Sequence, residues 1–162
     1  RDVVEGNTLE IEYDWHLKVA ELYDTVDLTF PMPSSTAQRI GAIAESKFMT
    51  ECLERDFEPH IPTTPMPWDF IVTCPAGTLK VQVKSSQTKY GQSYHVTTST
   101  GCTNKDAVSK DVDVVACYIS PENLWWLIPR FDLTGKTAKL NPEPTSKNKY
   151  KKYQENWSIF YE

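Results

Sequence analysis

The chain has 162 residues, of which 40% are hydrophobic and 24% are charged, and its formal net charge is −5. This length suits one domain with its own core, and the composition excludes a disordered or fibrous chain. No apolar run approaches the roughly 20 residues needed to cross a bilayer, and no signal-peptide pattern opens the chain, so we expect a soluble, cytoplasmic protein.

The charge is divided unevenly along the chain. Residues 1–70 carry 14 acidic and 5 basic side chains, whereas residues 71–162 carry 12 basic and 8 acidic ones. Lysines of the second half, from Lys80 to Lys152, could therefore contact phosphates and position a duplex without reading its sequence. A lysine-rich stretch is also common on an ordinary solvated surface, so the charge alone does not establish nucleic-acid binding.

Two helices are predicted in the first third of the chain. Apolar spacing favours a helix over residues 13–23, within an acidic N-terminal extension of residues 1–33. After two prolines, hydroxyl side chains at residues 34–36 can cap a second helix that runs to about Arg55, with Ile40, Ala44 and Phe48 on its apolar face. From residue 59 to residue 67, four prolines in nine residues demand an extended segment or an edge strand.

The remainder of the chain is predicted to be mainly β-structure, in a domain that spans residues 34–162. Two strands flanking a Pro-Ala-Gly turn at residues 75–77 form a hairpin, and residues 93–98, 113–119 and 124–128 have the composition of further strands. Residues 101–109 are predicted to be a loop, and a short helix is expected around residues 150–157. The four cysteines, Cys52, Cys74, Cys102 and Cys117, have no metal-ligand spacing and are expected to be reduced thiols.

The hairpin carries polar groups that a buried sheet does not require. Because side chains alternate along a strand, Gln82 and Lys84 point to one face and Val81 and Val83 to the other. Asp69, at the start of the first arm, can lie beside them. On the preceding helix, Gly41 and Glu45 share a face, so the glycine could let the helix approach a strand and Glu45 could point toward Asp69. A surface glutamate would be the ordinary interpretation of Glu45 alone.

This order of residues resembles the PD-(D/E)XK nuclease superfamily. The matching positions are Glu45 on a helix, Asp69 at the start of a strand, and Gln82-Val83-Lys84 on the next strand. Residues 110–116 and 124–129 resemble the following strand pair of the small single-domain branch, which includes cyanobacterial-type intron-encoded homing endonucleases and, more distantly, Holliday junction resolvases. The resemblance covers about residues 35–160, including Tyr150, Tyr153 and Trp157 in the tail. It implies an α/β (α+β) fold with a restriction-endonuclease-like αβββαβ core, a central mixed sheet flanked by helices.

The activity that the resemblance implies is Mg²⁺-assisted hydrolysis of DNA phosphodiester bonds, with Mn²⁺ expected to substitute. Asp69, the Gln82 side-chain oxygen, the Val83 carbonyl and Glu45 would hold the metal, and Lys84 would complete a catalytic set of Glu45, Asp69, Gln82 and Lys84. Gln82 stands where the family usually has an acid, and an amide oxygen ligates hard cations without contributing negative charge.

Double-stranded DNA is the partner that the resemblance implies. Candidate DNA-binding residues follow the catalytic strand and continue to the next one: Ser85, Ser86, Lys89, Lys105 and Lys110. Cleavage of both strands requires two active sites, so we expect a homodimer or homotetramer. Trp125 and Trp126 are adjacent on a strand and are therefore predicted to divide between the core and a partner surface.

Three functions remain open from the sequence. A sequence-specific homing-type endonuclease fits the resemblance best, and residues 1–33 and 88–110 would be available to reach bases. A Holliday junction resolvase would use the same site but recognise junction shape. A non-catalytic DNA-binding module that retained the fold is the third possibility, and the missing charge at Gln82 is the argument for it.

Overall fold

The computed structural model describes residues 36–99 and 108–162, all within one compact unit, Thr36–Glu162. The helix predicted over residues 13–23, Cys102 and Lys105 lie outside the described residues. Within the described residues, no helix has the length and apolar character that a membrane span requires.

Helix α1, Thr36–Leu53, confirms the second predicted helix. Its buried side chains, Ala44, Phe48 and Cys52, are spaced four residues apart and form one stripe against the sheet. The role predicted for Gly41 is wrong, because a Cβ added at Gly41 would have no atom within 4 Å. The glycine is therefore not required for a close approach between the helix and a strand.

A mixed sheet of five strands forms the centre of the unit. Its strands, in chain order, are β1 (Glu58–His60), β2 (Phe70–Cys74), β3 (Gly77–Ser86), β6 (Val114–Ile119) and β7 (Leu124–Pro129), and this is also their order across the sheet. Only the β3–β6 pair is parallel. Strand β1 lies at an edge, as the prolines around it predict.

The β2–β3 hairpin is confirmed. Its strands pair in antiparallel register from Phe70 opposite Val81 to Cys74 opposite Gly77. Gly77 has a φ of +112°, a conformation that residues with a Cβ rarely adopt, so a glycine is needed where the chain enters β3.

Strand β6 divides the interior into two cores, because all six of its residues are buried and alternate between the sheet faces. Val114, Ala116 and Tyr118 pack in the core beneath α1, together with Phe48. The other three residues of β6, Val115, Cys117 and Ile119, pack in a second core on the opposite face.

A smaller antiparallel sheet covers that second core. It consists of β4 (Lys89–Tyr90), β5 (Ser93–Thr97) and β8 (Thr137–Leu140), in the order β4-β5-β8. Its inward residues, which include Tyr94, Val96, Ala138 and Leu140, belong to the second core. The predicted partner-facing tryptophan is therefore wrong, since Trp125 and Trp126 are 2% and 0% exposed and lie in opposite cores.

The C-terminal tail runs along the outer edge of β7. Two 3₁₀ turns, Lys151–Tyr153 and Ser158–Phe160, replace the predicted short helix. Glu155 bonds both main-chain groups of Trp125, because its amide donates to the Trp125 carbonyl at 2.8 Å and its carboxylate accepts from the Trp125 amide at 2.5 Å. Satisfying this strand edge competes with continuous helix in the tail. The predicted mixed α+β fold with a central mixed sheet is confirmed. Of the predicted flanking helices, the described residues contain one, α1, and the small antiparallel sheet covers the other face.

Candidate active site

Two hydrogen bonds join Asp69 to strand β3. Its amide donates to the Val81 carbonyl at 2.9 Å, and its Oδ2 accepts from the Val83 amide at 2.7 Å. These bonds bring the carboxyl to the middle of β3, so the predicted proximity of Asp69 to the Gln82–Lys84 segment is what the structure shows. The second carboxyl oxygen makes no hydrogen bond to the described residues.

Gln82 is buried without a partner for its amide oxygen. The residue is 7% exposed, and Oε1 makes no hydrogen bond. Its neighbour across the parallel β3–β6 pair is the apolar Val115, so the sheet supplies no donor at that position. An unsatisfied buried polar atom costs about 1–3 kcal/mol, and folding gains nothing from placing an amide here. Gln82 Oε1 is therefore available to an external ligand, although four aromatic side chains, those of Trp68, Trp126, Tyr150 and Trp157, also have an unpaired buried polar atom.

Lys84 is half-buried at the same face of β3, where the register places it beside Cys117. Its ammonium makes no ion pair or hydrogen bond with the described residues, but its charge lowers the pKa of the Asp69 carboxyl. Burial raises the pKa of Cys117 to about 12, so this neighbour is a neutral thiol. The ammonium is therefore available to an anion that enters the site.

Glu45 reaches the same site from α1. The pKa of its carboxyl is raised by partial desolvation and by the negative charge of Asp69. Burial also raises the pKa of Asp69, although the Val83 hydrogen bond and the Lys84 charge offset part of that effect. Glu45, Asp69 and Lys84 thus interact electrostatically, and the Asp69 charge disfavours ionisation of Glu45. Gln82 lies two residues before Lys84 on β3 and on the same face.

The donor set fits a hard divalent cation. Asp69 has an unused carboxyl oxygen and Gln82 an unpaired amide oxygen. The Val83 carbonyl faces the same side as the Val83 amide, because both groups of a residue in a strand point to one neighbouring strand. With Glu45, these donors include only two acidic side chains, and the described residues contain no cluster of three or more histidine, cysteine or acidic side chains that could hold a metal. Oxygen donors of this kind suit Mg²⁺ better than zinc.

The predicted DNA-binding residues are spread along the surface beyond this site. Ser85 and Ser86 are half-buried at the end of β3, and Lys89 and Lys110 are exposed. Lys89 lies 5.7 Å above the Tyr94 ring. Lys105 falls outside the described residues, and contact with DNA remains a prediction for all five.

One site neighbour was missed by the sequence analysis. Cys117 lies within a continuous apolar run, where nothing in the composition distinguishes it from other core residues. Only the parallel register of β3 and β6 shows that it lines the Lys84 side of the site. Because the Cys117 thiol stays neutral, it adds no charge to the surroundings of Lys84.

A family model and a solved structure are both similar to this chain. The family model for the PD-(D/E)XK endonuclease matches residues 35–160. Among solved structures, the bacterial homing endonuclease I-Ssp6803I superposes with a TM-score of 0.65 and 23% sequence identity, covering 78% of this chain and 91% of that one. At this identity the likeness shows a shared fold. No curated protein matches the chain.

Proposed function

The chain belongs to the PD-(D/E)XK endonuclease family, and on that premise we propose that it is a Mg²⁺-dependent endonuclease that cleaves double-stranded DNA at a specific sequence. The resemblance identified from the motifs is confirmed by the family match. The observation that supports the metal-dependent mechanism is the buried, unpaired Gln82 Oε1, on the strand to which the Asp69 carboxyl is hydrogen-bonded. No described contact of the fold accounts for that oxygen.

Asp69, Gln82 and the Val83 carbonyl would hold the cation, with Glu45 contributing from the helix. When bound, Mg²⁺ polarises a phosphoryl oxygen and lowers the pKa of water. The Val83 amide holds the Asp69 carboxylate in one orientation through the 2.7 Å hydrogen bond. Gln82 contributes a neutral oxygen, so the negative charge of the site comes from the two carboxyls.

Lys84 would stabilise the negative charge that develops on the scissile phosphate. Its ammonium has no ion-pair partner among the described residues, so phosphate does not have to displace one. Its position between a partly buried carboxyl and an apolar strand strengthens the interaction, because the local dielectric is low. Glu45, whose pKa is raised, would accept a hydrogen bond from the attacking water and hold that water near the phosphate.

We expect the substrate to be a duplex cut in both strands by two copies of the chain. Because Trp126 is buried, it gives no support for a partner surface. The argument for a homo-oligomer is that two active sites are needed to cut both strands and that a symmetric assembly provides them. Lys89, Lys105 and Lys110, with Ser85 and Ser86, would contact the DNA backbone on either side of the cut. The site-specific, homing-type activity is the part of this proposal that depends on base recognition.

A library of supercoiled plasmids with inserts of source DNA, which contains the recognised sequence, tests the catalytic part directly. We expect nicking and linearisation with Mg²⁺, none with EDTA, and loss of activity in Lys84→Met. Lys47→Met is the matched control, because Lys47 is an exposed lysine on α1 and has no role in the proposed chemistry. Equal nicking by Lys84→Met and wild type would refute the role of Lys84. Absence of cleavage by wild-type protein in Mg²⁺ and in Mn²⁺ would identify a non-catalytic module.

A second comparison decides what kind of DNA is cut. Linear duplexes from a digest of source DNA should yield discrete ends with a common flanking sequence. A synthetic four-way junction should be cut no faster than a duplex of the same arms. Faster cleavage of the junction, with no common sequence at the ends, would make the protein a junction resolvase.

A further inference from the structure

The small sheet presents an outward face that the catalytic site does not use. Because side chains alternate, the residues that do not enter the second core point away from it. We call these residues the outer face: Tyr90, Ser93, His95, Thr97, Thr137 and Lys139. His95 lies opposite Lys139, and Thr97 lies opposite Thr137, so the pairs form adjacent rows.

The polar groups of the outer face are not needed by the fold. Among the described residues, these six side chains make no hydrogen bond or ion pair. The one contact between them is the Tyr90 ring, which lies 4.9 Å from the His95 ring, and Tyr90 is 60% exposed. Hydroxyl, imidazole and ammonium groups therefore remain free to bond an external partner.

The charge of the small sheet suits a polyanion. The sequence has no acidic residue between residues 70 and 105, or between residues 133 and 142, and these two segments contain all three strands. Lys89, Lys136 and Lys139 are exposed within them. A face that combines uncharged donors with surrounding lysines is complementary to base edges flanked by phosphates.

The outer face lies close to the proposed catalytic centre along the chain. Lys84 and Lys89 are five residues apart, and five extended residues span at most about 18 Å. This distance corresponds to about five base pairs at 3.4 Å each. Bases contacted by the outer face would therefore lie within about ten base pairs of the cut, allowing for the width of the sheet.

We propose that the outer face is a base-reading surface, which enters the major groove through the paired strands β5 and β8. The inference depends on the proposed DNA endonuclease function. A two-stranded β-ribbon fits the major groove, where each base pair presents a distinct pattern of donors and acceptors. Thr97, Thr137, His95 and Lys139 supply the side chains that read it, and Lys89 and Lys136 contact the flanking phosphates.

The experiment is a selection from a synthetic duplex library with a randomised central segment, cleaved in Mg²⁺ and sequenced at the ends. Wild type is compared with His95→Ala, Thr97→Ala and Thr137→Ala. Thr78→Ala is the matched control, since Thr78 is an exposed strand threonine in the hairpin and outside the outer face. Plasmid nicking and urea unfolding are measured for every variant.

Each outer-face variant should lose base preference at one or two positions within about ten base pairs of the cut, by ~5-fold to 150-fold. The unfolding midpoint of each variant should remain near that of wild type, and Thr78→Ala should keep both the wild-type base preference and the wild-type rate of plasmid nicking. Unchanged preference in all three variants, with cleavage intact, would overturn this inference alone. A uniform loss of affinity with a weaker salt dependence would also overturn it, because it would indicate phosphate contact. Failure of wild type to cleave any library would overturn the nuclease function as well.

Discussion

Replacing Gln82 with glutamate tests the metal site without relying on activity. Gln82 is 7% exposed, and the new carboxylate would lie beside Asp69, whose pKa is already raised by burial. Side chains of neighbouring strands are about 5 Å apart, and at an effective dielectric constant of about 20 two like charges at that distance repel by about 3 kcal/mol. At pH 8 in EDTA, we therefore expect Gln82→Glu to lower the free energy of unfolding by about 3 kcal/mol.

Mg²⁺ should reverse this loss. A ligand present at 100 times its dissociation constant stabilises the folded state by about 2.7 kcal/mol. A second carboxylate in the donor set increases affinity for a hard cation. Excess Mg²⁺ should therefore restore most of the stability of Gln82→Glu, and it should stabilise wild type less.

The assay is urea unfolding with EDTA and with excess Mg²⁺. Gln87→Glu is the control, because Gln87 is exposed just beyond β3 and should respond little to either condition. Equal stability losses for Gln82→Glu in EDTA and in Mg²⁺ would refute the metal-ligand role of this position. An equal response of Gln87→Glu to Mg²⁺ would show that the effect is general screening of charge.

Four further outcomes follow from the same structure. Lys84→Met should slow plasmid nicking by about 100-fold to 1000-fold, because one preorganised charge is lost. The midpoint of urea unfolding should be unchanged, and a large fall in that midpoint would indicate that Lys84 has a structural role. Asp69→Asn should abolish nicking, yet at neutral pH its free energy of unfolding should be no lower than that of wild type. The reason is that the pKa of the Asp69 carboxyl is raised in the folded chain, so its ionisation costs stability as the pH rises through that pKa. In EDTA, stability measured by urea unfolding should fall as the pH rises above the ordinary carboxyl range of about 4, because the pKa values of Asp69 and Glu45 are both raised in the folded chain, and Glu45→Gln should reduce this fall. Phe48→Ala should lower the free energy of unfolding by about 3–5 kcal/mol, because Phe48 is 0% exposed and packs against four aromatic rings. A loss below about 1 kcal/mol in urea unfolding would contradict that packing.

Local patterns in the sequence determine the hairpin and the convergence of its polar groups. Turn residues and a period of two are properties of adjacent residues, so they predict that Gln82 and Lys84 share a face before any tertiary contact is known. The same holds for α1, where the spacing of Ala44 and Phe48 already identifies the buried side. Strand β6 was likewise predicted as buried, because its apolar run is continuous.

The tertiary structure alone decided what covers each face of the sheet. Alternation correctly places Trp125 and Trp126 on opposite faces. Whether the second face meets solvent depends on the small sheet, in which β5 pairs with β8 about forty residues further along the chain. The approach of Glu45 to Asp69 and of Lys84 to Cys117 also depends on packing and register between distant segments. Such contacts result from the global fit of volumes and hydrogen bonds, so no local period encodes them.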